Sequence, residues 1–559
     1  MTTTSIVTDL DRYAQMYPVL TPDQIERITY LGHVRKVAKG DILYRPDDVG
    51  VPFYILLSGS MEIIHSGVDG EHLITTYTRP GQFSGEITMI TGQRCLVLAR
   101  VTESGEFIEI KREALLSVLA TDMELSEILL RAFILRRHIE LIQRGYGNVL
   151  IMGSRYSAQT LALREFLTRN GHPYTYVDLD TDNACQELLD RFGVSAAEVP
   201  IVICNGNTVL KHPSIQRLAA CLGFNASIDS SGVRDLVIVG AGPAGLAGAV
   251  YAASEGLNAL LVETHAPGGQ AASSSKIENY LGFPTGISGQ ELASRATAQA
   301  MKFGANMMIA RTVLSLNCDG HSYQLTLDCG EVLLARSILI ATGAQYNKIQ
   351  LEGLERFEGN GVYCGATHIE SQLSGHEEVA VVGGGNSAGQ AAVFLSQTSP
   401  TVHMLVRGAE LPSTMSRYLT QRLNQNSQIR LHFNTEIIAL EGNGHLERIT
   451  WCDKVTGKVF TSKVPHLFIM TGASPRTDWL RGVVALDENG FIKTGRDIQA
   501  VCDGQLRWRS ERMPETLETT LPGVFAVGDV RSGNVKRVAS AVGEGAIAVH
   551  MVHRVLAGL

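Results

Sequence analysis

Asp235-Leu-Val-Ile-Val239 runs directly into Gly240-Ala241-Gly242-Pro243-Ala244-Gly245. A short apolar run, three closely spaced glycines and a further stretch of small apolar residues read as strand, tight turn and helix. Gly240 allows the turn, Gly242 lets a pyrophosphate approach the backbone, and Gly245 lets the helix meet the strand. The helix N-terminus offers unpaired N–H groups to the phosphates. Leu260-Leu261-Val262 supplies a second strand ending in Glu263, whose carboxylate can accept hydrogen bonds from ribose hydroxyls. The glycine pattern alone is weak, but these four elements in register specify a dinucleotide site. Leu236 to Ala253 carries no charge over eighteen residues. Pro243 and the glycines interrupt it, so it is expected to be a buried core element rather than a membrane span.

The pattern recurs at Val379-Ala-Val-Val-Gly383-Gly-Gly385-Asn386-Ser387-Ala388, followed by the strand Val402-His-Met-Leu-Val406 and then Arg407. Gly383 to Arg407 spans 24 positions, and Gly240 to Glu263 spans 23. A base therefore stands near where the first unit has its acid. An arginine there can pair with a ribose 2′-phosphate, which points to NADPH, and Arg417 could assist. Two dinucleotide sites in one chain imply electron transfer between them. Val524-Phe-Ala-Val-Gly528-Asp529 adds a carboxylate after a strand, suited to the ribityl or phosphate side of a flavin.

The chain has 559 residues, too many for one core, and three or four domains are expected. Apolar residues make up 45% and charged residues 19%, an ordinary globular mixture. Glycine is the outlier at 56 residues, while proline stays at 17, so collagen and low-complexity sequence are excluded. The net charge of −8, without a basic block, argues against nucleic acid as partner. No signal peptide is evident in the first residues. Nine scattered cysteines with no Cys-x-x-Cys fit a reducing cytoplasm and offer no metal-ligand spacing. No metal ligand and no catalytic residue is assigned.

The expected architecture is multidomain α/β. Residues 1–145 read as helix, β-roll and helices; residues 148–224 alternate strands and helices in a compact α/β module. Two Rossmann-like domains follow.

Residues from about 233 to 559 resemble the FAD-dependent thioredoxin reductases among the pyridine nucleotide–disulfide oxidoreductases. The resemblance is carried by GAGPAG, Pro267-Gly268-Gly269-Gln270, Ile277-Glu278-Asn279-Tyr280, Ala341-Thr342-Gly343-Ala344, GGGNSA and GVFAVGDV. It implies FAD at Gly269, Gln270, Asn279, Thr342, Gly343, Gly528 and Asp529, with NADPH at Gly383 to Ala388 and Arg407. It also implies an NADPH domain, 346–473, inserted in an FAD domain of 233–345 and 474–559, and a homodimer. The family's redox Cys-x-x-Cys is missing. Gly361-Val-Tyr-Cys364-Gly365-Ala-Thr-His368 places Gly365 and His368 at the two cysteine positions. Cys364, one position early, is expected to be a buried, unreactive thiol, with a sulfenate-forming thiol as the alternative; His368 is expected to be a packed histidine.

Residues 148–224 resemble the thioredoxin/glutaredoxin fold, with Val199-Pro200 at the family's cis-proline and Ser154-Arg-Tyr-Ser157 where Cys-x-x-Cys would stand. This implies a redox-silent docking or packing module. The first domain resembles the cyclic nucleotide-binding fold through Pro80-Gly-Gln-Phe-Ser-Gly-Glu86-Ile87. Glu86 fits the ribose-binding glutamate, whereas Cys95 stands at the phosphate-pairing arginine and Arg94 is the nearest guanidinium. The leading expectation is an NADPH oxidoreductase whose acceptor is a small molecule or a redox protein. The alternatives are a disulfide reductase using other cysteines, and a sensor taking a nucleotide-like effector at the N-terminal domain.

Overall fold

The structure is a computed structural model describing residues 13–46, 48–67, 70–85, 94–136, 149–180, 198–204, 208–225, 228, 231–274, 276–318, 322–347, 349–364, 374–411, 415–498, 508 and 510–558. Glu86, residues 365–368, Cys185 and Cys502 lie outside these.

Residues 13–16 are helical, and helix Pro22–Thr29 follows. Thr21 and Gln24 cap it reciprocally and Pro22 occupies its first turn. Two four-stranded antiparallel sheets follow. One has the order Gly32–Val37, Gly105–Ile110, Phe53–Leu56, Phe83–Ser84; the other Ile42–Tyr44, Leu98–Glu103, Ser60–Gly67, Gly70–Tyr77. Phe53, Phe83 and Phe107 are fully buried between them and the helices Arg112–Thr121 and Met123–Arg136. The expected β-roll is therefore present.

The middle unit is a four-stranded sheet ordered Thr175–Asp178, Val149–Gly153, Ile201–Cys204, Thr208–Lys211. Its first pair is parallel and the others antiparallel. The Val199–Pro200 peptide is cis. Helices Ala158–Arg169 and Ile215–Cys221 cover one face. Phe166, Leu218 and Phe224 share a single core with Leu236, Leu261 and Met307 of the next unit, so the two pack as one body.

That next unit is a seven-stranded sheet. Asn306–Ile309, Ala259–Glu263, Val233–Val239 and Val332–Ile340 lie side by side in parallel. Strand Val524–Ala526, almost two hundred positions later, adds in parallel to Val332–Ile340. Leu236, Val237 and Ile238 are fully buried because helices cover one face, over Leu236 and Ile238, while the antiparallel strands Val313–Cys318 and Tyr323–Leu327 and the segment 480–492 cover the other, over Val237. This explains the uncharged run: it is strand Val233–Val239 plus helix Pro243–Ser254. Among the described residues no helix is long and apolar enough to cross a membrane.

The last unit is a five-stranded parallel sheet ordered Val362–Tyr363, His466–Ile469, Val379–Val382, Val402–Leu405, Ile429–His432, with a three-stranded antiparallel sheet beside it. The chain enters along Ala344–Asn347 and leaves along Thr471–Pro475, and these segments pair antiparallel.

Candidate functional site

The first glycine turn has the backbone geometry that its sequence demands. Gly240 adopts φ 104° and donates to the carbonyl of Val262 at 2.8 Å. A Cβ on Gly240 would come within 2.5 Å of the Ala341 carbonyl oxygen, and one on Gly245 would overlap the carbonyl of Gly240. At Gly242, by contrast, a Cβ would meet open space. Gly242 is also the N-cap of helix Pro243–Ser254, with no side chain bonded to the first turn. Its N–H groups are thus left for a ligand.

Glu263 ends the neighbouring strand. One carboxylate oxygen accepts from Ala241 N at 2.8 Å and the other from His265 N at 2.9 Å. It holds the glycine turn in place while keeping lone pairs for ribose hydroxyls. Gly268 N donates to Ala241 O at 2.7 Å, which seats the Pro267-Gly-Gly-Gln270 turn on the first one. Gln270 Nε2 donates to Ala344 O at 2.5 Å and ties both to the segment carrying Thr342 and Gly343.

These elements line one cleft of about 970 Å³. It brings together Gly240, Gly242, Pro243, Ala244, Glu263, Gly269, Gln270, Thr342, Gly343, Gly528 and Asp529, with Ser387 reaching in from the second unit. Gly245 lies beneath the turn as its helix–strand contact. Asn279 is exposed and lies outside the cleft lining. Burial raises the Asp529 carboxyl above its ordinary pKa, Lys536 opposes this and Glu544 adds to it. An open glycine, an uncapped helix N-terminus and a ribose-competent carboxylate on one cleft fit a dinucleotide such as FAD.

Glu544 was not singled out from the sequence. Its carboxylate accepts from Gly528 N at 2.7 Å, Arg531 Nη2 at 2.5 Å and Asn534 Nδ2 at 2.8 Å, and so holds the Gly528-Asp529 turn. The signal available was a single charge within the otherwise uncharged run from Val538 to Val549.

The second turn repeats the first. Gly383 adopts φ 143° and Gly385 N-caps helix Asn386–Leu395, again with no side-chain cap and open space at its Cβ. Asn386 Oδ1 accepts from Ser416 N at 2.9 Å, and Ala388 is fully buried under Gly383. Arg407 follows strand Val402–Leu405 and is exposed, as is Arg417. Gly383, Gly385, Asn386, Ala388 and Arg407 are therefore grouped away from the first cleft, and Ser387 links the two regions.

Cys364 lines the cleft and is exposed, which corrects the expectation of a buried thiol. It follows the two-residue edge strand Val362–Tyr363.

In the β-roll, Cys95 is 2% exposed and its thiol donates to Val97 O at 3.2 Å. Arg94 turns away to lie against Gly223 of the middle unit, where a Cβ would strike its Nε and Cδ. A guanidinium that the sequence reading passed over occupies the interior. Arg136 donates to Met16 O at 2.7 Å and Phe83 O at 3.1 Å, and sits 4.8 Å from the Phe83 ring centre.

Residues 234–545 match the family described as pyridine nucleotide-disulphide oxidoreductase, and residues 34–122 match the cyclic nucleotide-binding domain. Neither match includes residues 123–233. The thioredoxin reductase of Ureaplasma parvum is 32% identical over 319 residues, which cover 56% of this chain and 94% of that protein. That of Bacillus subtilis is 31% identical over 322 residues, covering 57% and 94%. The crystal structure of Lactococcus lactis thioredoxin reductase (FR conformation) superposes with a TM-score of 0.52 at 27% identity, over 58% of this chain and all of that one.

Proposed function

Because the chain belongs to the pyridine nucleotide-disulphide oxidoreductase family, as an FAD-dependent NAD(P)H oxidoreductase, we propose that it takes electrons from NADPH and delivers them without a paired-cysteine relay. The observation that carries this reading is the pair of glycine turns, each ending a parallel strand and opening an uncapped helix. When bound, NADPH supplies the hydride and FAD the ring that accepts it. Gly240, Gly242 and the N-terminus of helix Pro243–Ser254 receive the pyrophosphate of FAD, and Glu263 its ribose. Glu544 positions Gly528 and Asp529. Gly383 and Gly385 take the NADPH phosphates, and Arg407 its 2′-phosphate.

The proposed domains are 1–145, 148–224, 346–473, and 233–345 joined with 474–559. The pairing of Val524–Ala526 with Val332–Ile340 supports the discontinuous one. The mixed sheet of residues 149–211 supports a thioredoxin-like middle module, here without the exchangeable thiols. The family resemblance supports a homodimer, and the cysteine usage a cytoplasmic location.

The acceptor is proposed to be a small molecule or a redox protein that receives electrons directly from flavin. No two of the nine cysteines are three positions apart. Anaerobic stopped-flow mixing with NADPH is expected to bleach the flavin and generate no new thiols; two new thiols per flavin would overturn the reading. NADPH is expected to be preferred over NADH. Arg407→Ala should raise KM for NADPH about tenfold while leaving that for NADH unchanged.

A second reading, in which the N-terminal domain modulates the flavoprotein, is favoured by one contact. The β-roll helices share a core with Ala298 of helix Gly289–Lys302, and a Cβ on Gly289 of that helix would overlap Ala271 O in the turn lining the cleft. Calorimetric titration with cyclic AMP or cyclic GMP tests the classical effectors, and a small molecule whose binding heat is coupled to a change in flavin-reduction rate would establish the reading. With Cys95 buried and Arg94 held at Gly223, no heat is expected from either nucleotide, and a different effector would be required.

A further inference from the structure

Helix Ala158–Arg169 lies outside both family matches, yet it forms a wall of the dinucleotide cleft through Leu161, Glu165 and Arg169. Three hydrogen bonds fasten its C-terminal end there. Arg169 Nη2 donates to Gly269 O at 2.9 Å, Gln290 Nε2 donates to Arg169 O at 2.9 Å, and Asn170 Nδ2 donates to His265 O at 3.1 Å. Gly269 in turn lies close against the phosphate-facing turn, so that a Cβ added to it would come within 3.0 Å of Gly242 Cα. The Arg169 side chain is only 21% exposed and its Nε is buried. Its carboxylate neighbour Glu165 stands at 3.4 Å and lines the same cleft. Both groups act on the cleft: burial lowers the pKa of His265, Glu263 opposes this, Arg169 lowers it further and Glu165 raises it.

We propose that Arg169 is an FAD-positioning residue supplied by the middle module. It holds the Gly269 carbonyl, and with it the turn seated on Gly242, and adds positive charge to the wall on the phosphate side. The module is thereby part of the flavin site rather than an appendage to it. This rests on the reading of the cleft as the FAD site.

The test uses the full chain, stripped of flavin and titrated with FAD, with the dissociation constant read from flavin fluorescence. Arg169→Ala is expected to weaken FAD binding about tenfold, the weight of one charge-assisted hydrogen bond. Arg169→Lys should recover part of the loss, because the charge remains while the planar fork is gone. Arg217→Ala, exposed on helix Ile215–Cys221 of the same module, should bind as wild type. Melting temperatures of the apo and FAD-loaded forms separate the roles. A cofactor-directed residue lowers the increment that FAD adds, whereas a merely structural one lowers both forms equally. Folded Arg169→Ala with a dissociation constant within about twofold of wild type, a small fraction of that bond's weight, would overturn the inference, as would equal losses in both forms. Should Arg169→Ala fail to fold, Arg169→Gln and Arg169→Lys carry the same comparison. Wild-type apoprotein that takes up no FAD would overturn the flavin reading itself, whereas wild-type uptake with unaltered Arg169→Ala uptake would overturn this inference alone.

Discussion

Gly245→Val is expected to yield a colourless protein that retains no FAD. The added Cβ would overlap the carbonyl oxygen of Gly240 and stand 3.3 Å from Ala341 Cβ. The obstacle is backbone, so no rotamer change relieves it. Helix Pro243–Ser254 must slide off the strand, which opens the turn and swings the helix N-terminus away from the phosphates. Overpacking of this kind costs about 3 kcal/mol, and the branched side chain adds to it. The flavin-to-protein absorbance ratio and a thermal melt check the prediction, and a yellow protein with full stoichiometry would refute it. Gly242→Ala is the informative contrast. Its φ of −68° suits alanine, and its Cβ would meet open space inside the cleft. The apoprotein should therefore melt like wild type while FAD binding is lost, because the methyl group stands where the pyrophosphate must approach.

Glu518→Ala is expected to destabilise the chain by about 3–5 kcal/mol, as breaking a buried ion pair does. Glu518 is fully buried. Its carboxylate accepts from Arg512 Nη1 at 2.7 Å, Arg512 Nη2 at 2.6 Å, Gly523 N at 2.6 Å and Glu515 N at 2.9 Å. Removing it leaves a partly exposed guanidinium with only its hydrogen bond to Met513 O, and two backbone donors without their acceptor. The damage falls on the segment that leads into strand Val524–Ala526 and then Gly528-Asp529, so flavin content should fall together with stability. Replacing Arg512 as well should be milder than the single change, because no uncompensated charge remains. Denaturant midpoints of the two single variants and the double variant measure this; a double variant no more stable than Glu518→Ala would contradict it.

What could be read without coordinates was local. Gly240, Gly242 and Gly383 declared turns because only glycine adopts their left-handed φ or leaves the backbone open to a ligand. The uncharged run at 236–253 declared a buried strand and helix. Glu518, by contrast, gave no signal, since its partners depend on how the segment 508–523 folds back on itself. The expectation for Cys364 failed for a related reason: whether it faces the cleft depends on which elements surround the edge strand Val362–Tyr363, not on its neighbours in sequence.

By itself, then, the sequence determined the two glycine turns, the acid after one strand and the base after the other, and the lack of any cysteine pair three positions apart. These depend on backbone geometry and spacing within some 25 residues. Only the tertiary structure decided which side chains meet. It brought Ser387 to the first cleft, left Asn279 outside it, set Glu544 under Gly528, turned Arg94 toward Gly223, and carried Arg169 across one hundred positions to Gly269. Such convergence follows from the burial of Phe166 and Phe224 against Leu236 and Leu261 in one shared core, a long-range packing solution to which no short stretch of chain contains the answer.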